Sequence, residues 1–398
     1  MQASWLNALR LRWFLLTRAL DSSCDFVQVL YRIYLNHSKI IHFRNGYPVY
    51  SLSTPAVFSP PAAHFIARAL YRTIQNKNLP NLMSFAVNDD CNAACEHCSF
   101  FEGVEQPGQP VLSLGQAQQV IQDAQELGVS VINFVGGEPL QRPDLPDLIR
   151  AVDKQLATTV LFTNGWLLGD RARDLKKAGL DSIYVSIDRA NPQAHDAFRQ
   201  TPGLFGRALQ GIKVAKKLGF SLGISATLTP ETYADGELDR LVRLARKLGV
   251  HEVLVFDALP TGRYRDRTDL VDQNLVNTDR ADTKLVDSEN WVENMIQSAR
   301  RYNQNPRDPG VVFYSYFTSH RSVGCACGTS YFYVSPYGEI MSCDFNHHGF
   351  GNVLKEPLWR IWERLTTTPE FCQAKWGGCK IKDPELRSHP LVSSGGMR

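Results

Sequence analysis

A chain of 398 residues is too long for one minimal domain and suits one large domain with one or two smaller ones. Its net charge of +3 gives no argument for nucleic acid, and 43% hydrophobic with 21% charged residues describes an ordinary globular protein. No run of about 18 apolar residues exists to span a membrane, and nine cysteines, an odd number grouped mainly in two places, fit metal ligation in a reducing cytoplasm better than disulfides.

The stretch from Met1 to Arg18 has no small-residue cleavage site after a sustained apolar run, so it does not read as a signal peptide. Trp5, Trp13, Phe14 and Leu15 beside Arg10, Arg12 and Arg18 predict a short amphipathic helix, either adsorbed on an anionic membrane through residues 1–20 or docked on the body of the protein. Lys39 to Ser51 predicts a hairpin around Asn45-Gly46, and Ala62 to Gln75 a helix, so residues 1–80 form a helical and hairpin extension.

From Met83 to Asp257, strand-like and helix-like segments alternate with a period of about 25 to 35 residues. Strands are expected at 83–88, 130–135, 158–162, 182–187, 221–228 and 252–257, with helices between them that end in the C-cap glycines Gly128, Gly179, Gly219 and Gly249. Six such units over residues 81–260 predict an α/β fold, a partial (β/α)6 TIM barrel, in which chemistry belongs at the C-terminal ends of the strands. Polar clusters fall there: the cysteine run 91–98, Gly136-Gly137-Glu138-Pro139, Thr163-Asn164-Gly165, Ser186-Ile187-Asp188, Thr227, and Asp257 to Arg263. Residues 261–320 read as a linker and closing helix, 321–382 as a small Cys-rich domain of hairpin and helix, and 383–398 as a tail.

Cys91, Cys95 and Cys98 form a CxxxCxxC triad. Thiolates at this spacing can hold three corners of a 4Fe-4S cluster and leave the fourth iron open; random placement of the cysteines predicts roughly 0.005 such triads. A zinc knuckle using His97 as fourth ligand is the alternative. Cys325, Cys327 and Cys343 flank a predicted hairpin at Pro336-Tyr337-Gly338 whose open mouth brings them together, and Cys372 and Cys379 follow; a zinc ribbon is the alternative here. Cys24 stands alone and reads as a buried apolar residue.

The triad with its strand-end clusters resembles the radical S-adenosylmethionine (radical SAM) superfamily over residues 83–260. Residues 325–380 resemble that superfamily's twitch/SPASM cap. The resemblance implies that the open iron chelates S-adenosylmethionine (SAM), whose reductive cleavage releases a 5′-deoxyadenosyl radical that takes hydrogen from a substrate. It places the SAM amino group on Gly136, Gly137, Glu138 and Pro139, the ribose and methionyl carboxylate on Ser186, Asp188 and Arg199, and Asn164 and Thr227 beside them. His97 occupies the position of an aromatic residue that stacks on adenine. It implies an auxiliary 4Fe-4S cluster on Cys325, Cys343, Cys372 and Cys379, with Cys327 able to replace Cys325. The expected partners are an electron donor of flavodoxin or ferredoxin type and an unidentified substrate, with no nucleic acid. A lipid or isoprenoid-like substrate, suggested by the N-terminal segment, is preferred over a ribosomal peptide or a small-molecule precursor, in a cytoplasmic enzyme with peripheral membrane contact. The competing class is a non-catalytic barrel stabilised by zinc or iron and sulfur, used as a binding scaffold. No catalytic side chain is assigned.

Overall fold

The computed structural model describes residues 34–267, 270, 288–319, 322, 324–369 and 379–382. The amphipathic segment 1–20, Cys24, Cys372 and the tail lie outside the described residues. The six expected barrel strands are β3 (Leu82–Ala86), β4 (Val131–Val135), β5 (Thr158–Thr163), β6 (Ser182–Ser186), β7 (Ser221–Leu228) and β8 (Glu252–Asp257), each within two residues of the position read from sequence. All pair in parallel and in chain order. Helices between them pack on the outer face, where Val120, Ile121, Leu148, Leu175, Ala208, Ile212, Leu241 and Val242 are buried with the strand side chains. The helices at Leu114–Leu127, Leu168–Ala178 and Glu237–Leu248 each end on a left-handed glycine, Gly128, Gly179 and Gly249, a conformation that costs other residues a steric clash.

The sheet runs beyond those six strands. The helix Ser288–Gln304 leads into β9 (Gly310–Phe313), which pairs in parallel with β8, so the expected linker contributes a seventh parallel barrel strand. At the other edge β10 (Tyr331–Val334) pairs in parallel with β3, Tyr331 opposite Leu82, and its hairpin partner β11 (Glu339–Cys343) carries β12 (Asn346–Asn352) antiparallel. The Cys-rich region is therefore an extension of the barrel sheet. Its edges at β12 and β9 are not joined, so the barrel is partial.

The N-terminal hairpin, β1 (His42–Arg44) and β2 (Tyr47–Val49), turns through Asn45 at φ 51° and Gly46 at φ 83°, the two positive values a two-residue turn of this hand requires. The chain after it plugs the barrel floor: Val49, Leu52 and Ala56 pack on Val131, Val160, Tyr184 and Leu254. Gly223 makes the room, since a Cβ there would lie 2.6 Å from the Tyr184 ring and 3.0 Å from Leu52. Within this plug Glu252 is fully buried; its Oε2 accepts from Leu52 N (2.7 Å) and from the Tyr184 hydroxyl, and Oε1 has no partner. No described helix is long and apolar enough to cross a membrane.

Burial pushes the Glu252 carboxyl up from 4.5 to about 7, the Tyr184 and Leu52 hydrogen bonds opposing it. A carboxyl whose folded value lies above its unfolded value favours the fold fully below about pH 4.5 and loses that contribution as pH rises through about 7. Glu252→Gln keeps an acceptor but cannot ionise. Thermal melts should therefore show the variant gaining stability relative to wild type between pH 5 and pH 8; a constant difference would mean the group is ionised or neutral throughout.

Candidate functional site

All thirteen residues assigned from sequence to the first cysteine triad and to the cofactor line one cavity of about 350 Å³ at the C-terminal ends of the strands. The loop after β3 carries Cys91, Cys95 and Cys98 and lies on the turn after β4. Gly137 N donates to Asn88 O (3.1 Å) and Glu138 N to Asp90 O (2.6 Å). A Cβ on Gly137 would sit 2.2 Å from Asp90 O, and one on Gly136, at φ 138°, 2.6 Å from Asn88 O. The space the two glycines free is thus taken by the cysteine loop's own backbone. Arg142, not singled out in the sequence, donates from Nη1 to Val87 O (2.7 Å), and Arg263 from Nη1 to Cys95 O (2.9 Å).

Glu138 is buried and held by three donors: Leu140 N (3.1 Å) and the Thr163 hydroxyl (2.6 Å) on Oε1, and Asn164 N (2.7 Å) on Oε2. Burial pushes its pKa up and these bonds pull against it. Oε2 retains acceptor capacity toward the cavity. Asn164 Nδ2 donates to Asn92 Oδ1 (2.8 Å), fixing β5 to the cysteine loop, while the Ser186 and Ser225 hydroxyls lie 3.3 Å apart.

Asp188 is completely buried. Its Oδ2 accepts from Arg199 Nε (2.6 Å), its Oδ1 from Thr227 N (2.8 Å), and His97 Nε2 lies 3.8 Å from Oδ1. Burial pushes this carboxyl up, but the Arg199 guanidinium with its hydrogen bond, together with His97 and His195, outweighs it and holds the group well below the usual carboxylate range. Arg199 also reaches Cys95 Sγ at 3.7 Å, so a permanent cation stands beside one thiol of the triad. Burial takes His97 down to about 4, a neutral ring stacked on Phe198 at 4.5 Å between centroids. Its buried Nδ1 has no partner. Burial raises the Cys91 thiol to about 12; metal ligation must displace that proton, and ligand affinity and protonation are then linked.

The second group gathers Cys325, Cys327, Cys343 and Cys379. Cys327 and Cys343 are buried, and the four thiols are near enough to act on one another, Cys327 on Cys325 and Cys343 and Cys379 on the same two. Cys327 is central in this group, where the sequence offered it only as a replacement. Among the described residues no three Cys, His, Asp or Glu side chains converge on a single-ion position. A cluster places each thiolate on its own iron and does not require that convergence. Phe162, Phe256, Tyr314, Phe317, Tyr331 and Phe345 line the cavity, with successive ring centroids 6.4, 5.2 and 6.1 Å apart along Phe162, Phe256, Tyr314 and Phe345. Sequence reading missed this aromatic wall, because its residues come from β5, β8, β10, the short helix Tyr314–Thr318 and the turn before β12, which only the fold brings together.

Family comparison agrees with this geometry. Residues 86–245 match the radical SAM superfamily and residues 325–380 the iron–sulfur cluster-binding SPASM domain. An AdoMet-dependent heme synthase of Methanosarcina barkeri is 30% identical over 324 residues, covering 77% of this chain and 90% of the relative. A GTP 3′,8-cyclase of Peptoclostridium acidaminophilum is 34% identical over 167 residues, covering 41% of this chain and 51% of the relative. Among solved structures, Streptococcus suis SuiB bound to the precursor peptide SuiA superposes with a TM-score of 0.57 at 14% identity, covering 93% of this chain and 82% of that one. Native anSMEcpe with bound AdoMet gives 0.55 at 16% identity, covering 76% and 90%. These two show the shared fold.

The chain belongs to the radical SAM superfamily and carries a SPASM domain. It is an enzyme of that class, with a 4Fe-4S cluster, SAM and an auxiliary iron–sulfur cluster as cofactors, and it requires an electron donor and a substrate.

Gly137→Ala must push the cysteine loop off the β4 turn. Reconstituted variant should hold about half the iron of wild type on the count of one lost cluster in two, with unchanged far-ultraviolet circular dichroism. Full iron content would show the loop has room to move.

Proposed function

We propose that this enzyme binds a carboxylated tetrapyrrole and that the chamber between the two cysteine groups holds it. The observation that carries the reading is the heme-synthase match, which covers 77% of this chain and 90% of that relative, whereas the cyclase match covers 41% of this chain and 51% of that relative. A second relative, the Fe-coproporphyrin III synthase of Methanosarcina barkeri, is 25% identical over 319 residues and covers 75% of this chain. The aromatic wall supports it, since flat apolar surface favours a flat macrocycle. A lipid substrate and peripheral membrane contact rested on residues 1–20, and the relatives point away from the lipid.

In this reading residues 81–260 with β9 form the core and 321–382 the cap. Cys91, Cys95 and Cys98 hold the first cluster, and Cys325, Cys327, Cys343 and Cys379 the second. The cluster's chemistry, when bound, is delivery of one electron to SAM, releasing methionine and a 5′-deoxyadenosyl radical that takes a hydrogen atom from substrate. Glu138 Oε2 accepts from the SAM ammonium, and neutral His97 offers its face to adenine. Arg199 is oriented by Asp188 and faces the methionyl carboxylate, while its charge steadies the Cys95 thiolate.

Anaerobic protein supplied with SAM, dithionite and iron-coproporphyrin III should release 5′-deoxyadenosine faster than without the tetrapyrrole and give a product of lower mass. A ribosomal-type peptide or an isoprenoid stimulating cleavage in its place would overturn the substrate. Iron analysis should find roughly 8 iron per chain, falling to roughly 4 when either cysteine set is replaced by alanine; only the 91, 95 and 98 set should abolish SAM cleavage.

Glu138→Gln removes the charge from one acceptor in a buried site and should weaken SAM binding by about 1–3 kcal/mol. Calorimetry giving wild-type affinity would place the ammonium elsewhere.

A further inference from the structure

The turn that ends the described cap, Cys379-Lys380-Ile381-Lys382, places two lysines against the second cysteine group. Lys380 is 2% exposed, and its ammonium donates to Cys327 O at 3.1 Å, within the loop that carries Cys325 and Cys327. Lys382 leaves the same turn on the other side: its backbone N donates to Cys379 O at 2.9 Å, and its ammonium lies 2.7 Å from Asp257 Oδ2. Both side chains of that pair are nearly out of solvent, at 16% and 8% exposure, so water screens the charge little. Asp257 stands at the end of β8 in the cavity wall, and its buried Oδ1 has no partner.

Two ammonium groups in a dry setting on the turn that carries Cys379, one acting on Cys325 and the other on Cys379, are unusual, because lysine is almost never buried without nearby negative charge. The cysteine set supplies such charge. A four-iron cluster held by four thiolates is an anion and becomes more negative with each electron it accepts. Fixed positive charge near it therefore favours the reduced form, and buried charge is one lever by which a protein sets cluster potential.

We infer that Lys380 and Lys382 are positioning charges that hold the auxiliary cluster at a less negative reduction potential, and that Asp257 offsets Lys382 from the substrate chamber. The inference rests on the auxiliary cluster being carried by Cys325, Cys327, Cys343 and Cys379. It links chamber and cluster: a substrate group that donates to Asp257 Oδ1 reduces the offset and makes the cluster easier to reduce. By reciprocity, reduction of the cluster alters the affinity of the chamber for that group.

The test is a redox titration followed by electron paramagnetic resonance on the full chain with Cys91, Cys95 and Cys98 replaced by alanine, so that only the auxiliary cluster contributes. Lys380→Met and Lys382→Met should each shift the midpoint to more negative potential at unchanged iron content. Lys380→Arg should keep it. Asp257→Asn should shift it the opposite way, to more positive potential, a sign that packing damage around the turn does not produce. Unshifted midpoints in both Met variants, or an Asp257→Asn shift in the same direction as Lys382→Met, would overturn the inference. If the Met variants lose iron, Lys380→Arg and Asp257→Asn decide alone: an altered midpoint in the first or an unaltered one in the second overturns it. A parent protein with no auxiliary signal at all would instead sink the assignment of the cluster to these cysteines.

Discussion

The contact between Gly137 and the backbone of Asp90 is the constraint on which the upper half of the molecule depends. A cysteine loop of this length has no regular structure to hold it, and three thiols can meet one cluster only if the loop's path is fixed to a fraction of an ångström. The path is fixed by backbone hydrogen bonds to the β4 turn, and these need the absence of two side chains. Arg142 on Val87 O and Arg263 on Cys95 O clamp the loop from either side. A motif that looks made for ligand approach is here first a seat for the metal-binding loop, and the ligand surface it leaves is the Glu138 carboxylate and the cavity edge.

Electrostatics arrange the rest of the chamber. A completely buried aspartate is costly unless paired and hydrogen-bonded, and Asp188 has both a guanidinium and a backbone amide. The pair does more than cancel charge. Arg199 spans from Asp188 on one side to Cys95 on the other, so a residue from the segment after β6 is oriented against the loop after β3. His97 stays neutral in the same pocket because burial and the nearby arginines outweigh the attraction of Asp188. A charged ring there would compete with Arg199 for Asp188; a neutral one leaves a flat, apolar face.

Much of this was legible. The six parallel strands announced themselves because the units repeat one grammar, an apolar run and a helix, closed in all but the second by a left-handed glycine. Their polar ends could be matched to one rim without any coordinates. The residues that escaped notice are those whose meaning is long-range. β9 is only four residues long and follows the helix Ser288–Gln304 in a region read as linker and closing helix, so nothing local marks it as barrel. Register between β10 and β3 has no sequence signature, because pairing across the intervening chain is set by packing. Glu252 did leave a trace: a lone acid heading the apolar run Glu252-Val-Leu-Val-Phe256 is poorly explained as a solvent-facing residue. Cys327 left a plainer one, a thiol two positions from an assigned ligand, and only the fold shows it buried within reach of Cys325 and Cys343.

Joining the cap to the barrel sheet has a mechanical consequence. Tyr331 is level with Leu82 at the start of β3, and Cys91 follows that strand's end, so the segments carrying the two cysteine groups are joined through one pair of hydrogen-bonded strands. A cap hung from a flexible linker would let their separation drift by more than the width of a side chain. Backbone hydrogen bonds between β3 and β10 hold it to the tolerance of a sheet, and the cavity that opens to Cys98 at one end and Ala326 at the other is framed by the same strands. The cavity runs from the Cys91, Cys95 and Cys98 loop to Gly324 and Ala326 of the cap, with Tyr331 and Tyr333 of the cap and Ser84 of the barrel in its wall. The fusion of cap and core is therefore a distance constraint as much as a topological one, and it makes the chamber's dimensions a property of β-sheet geometry.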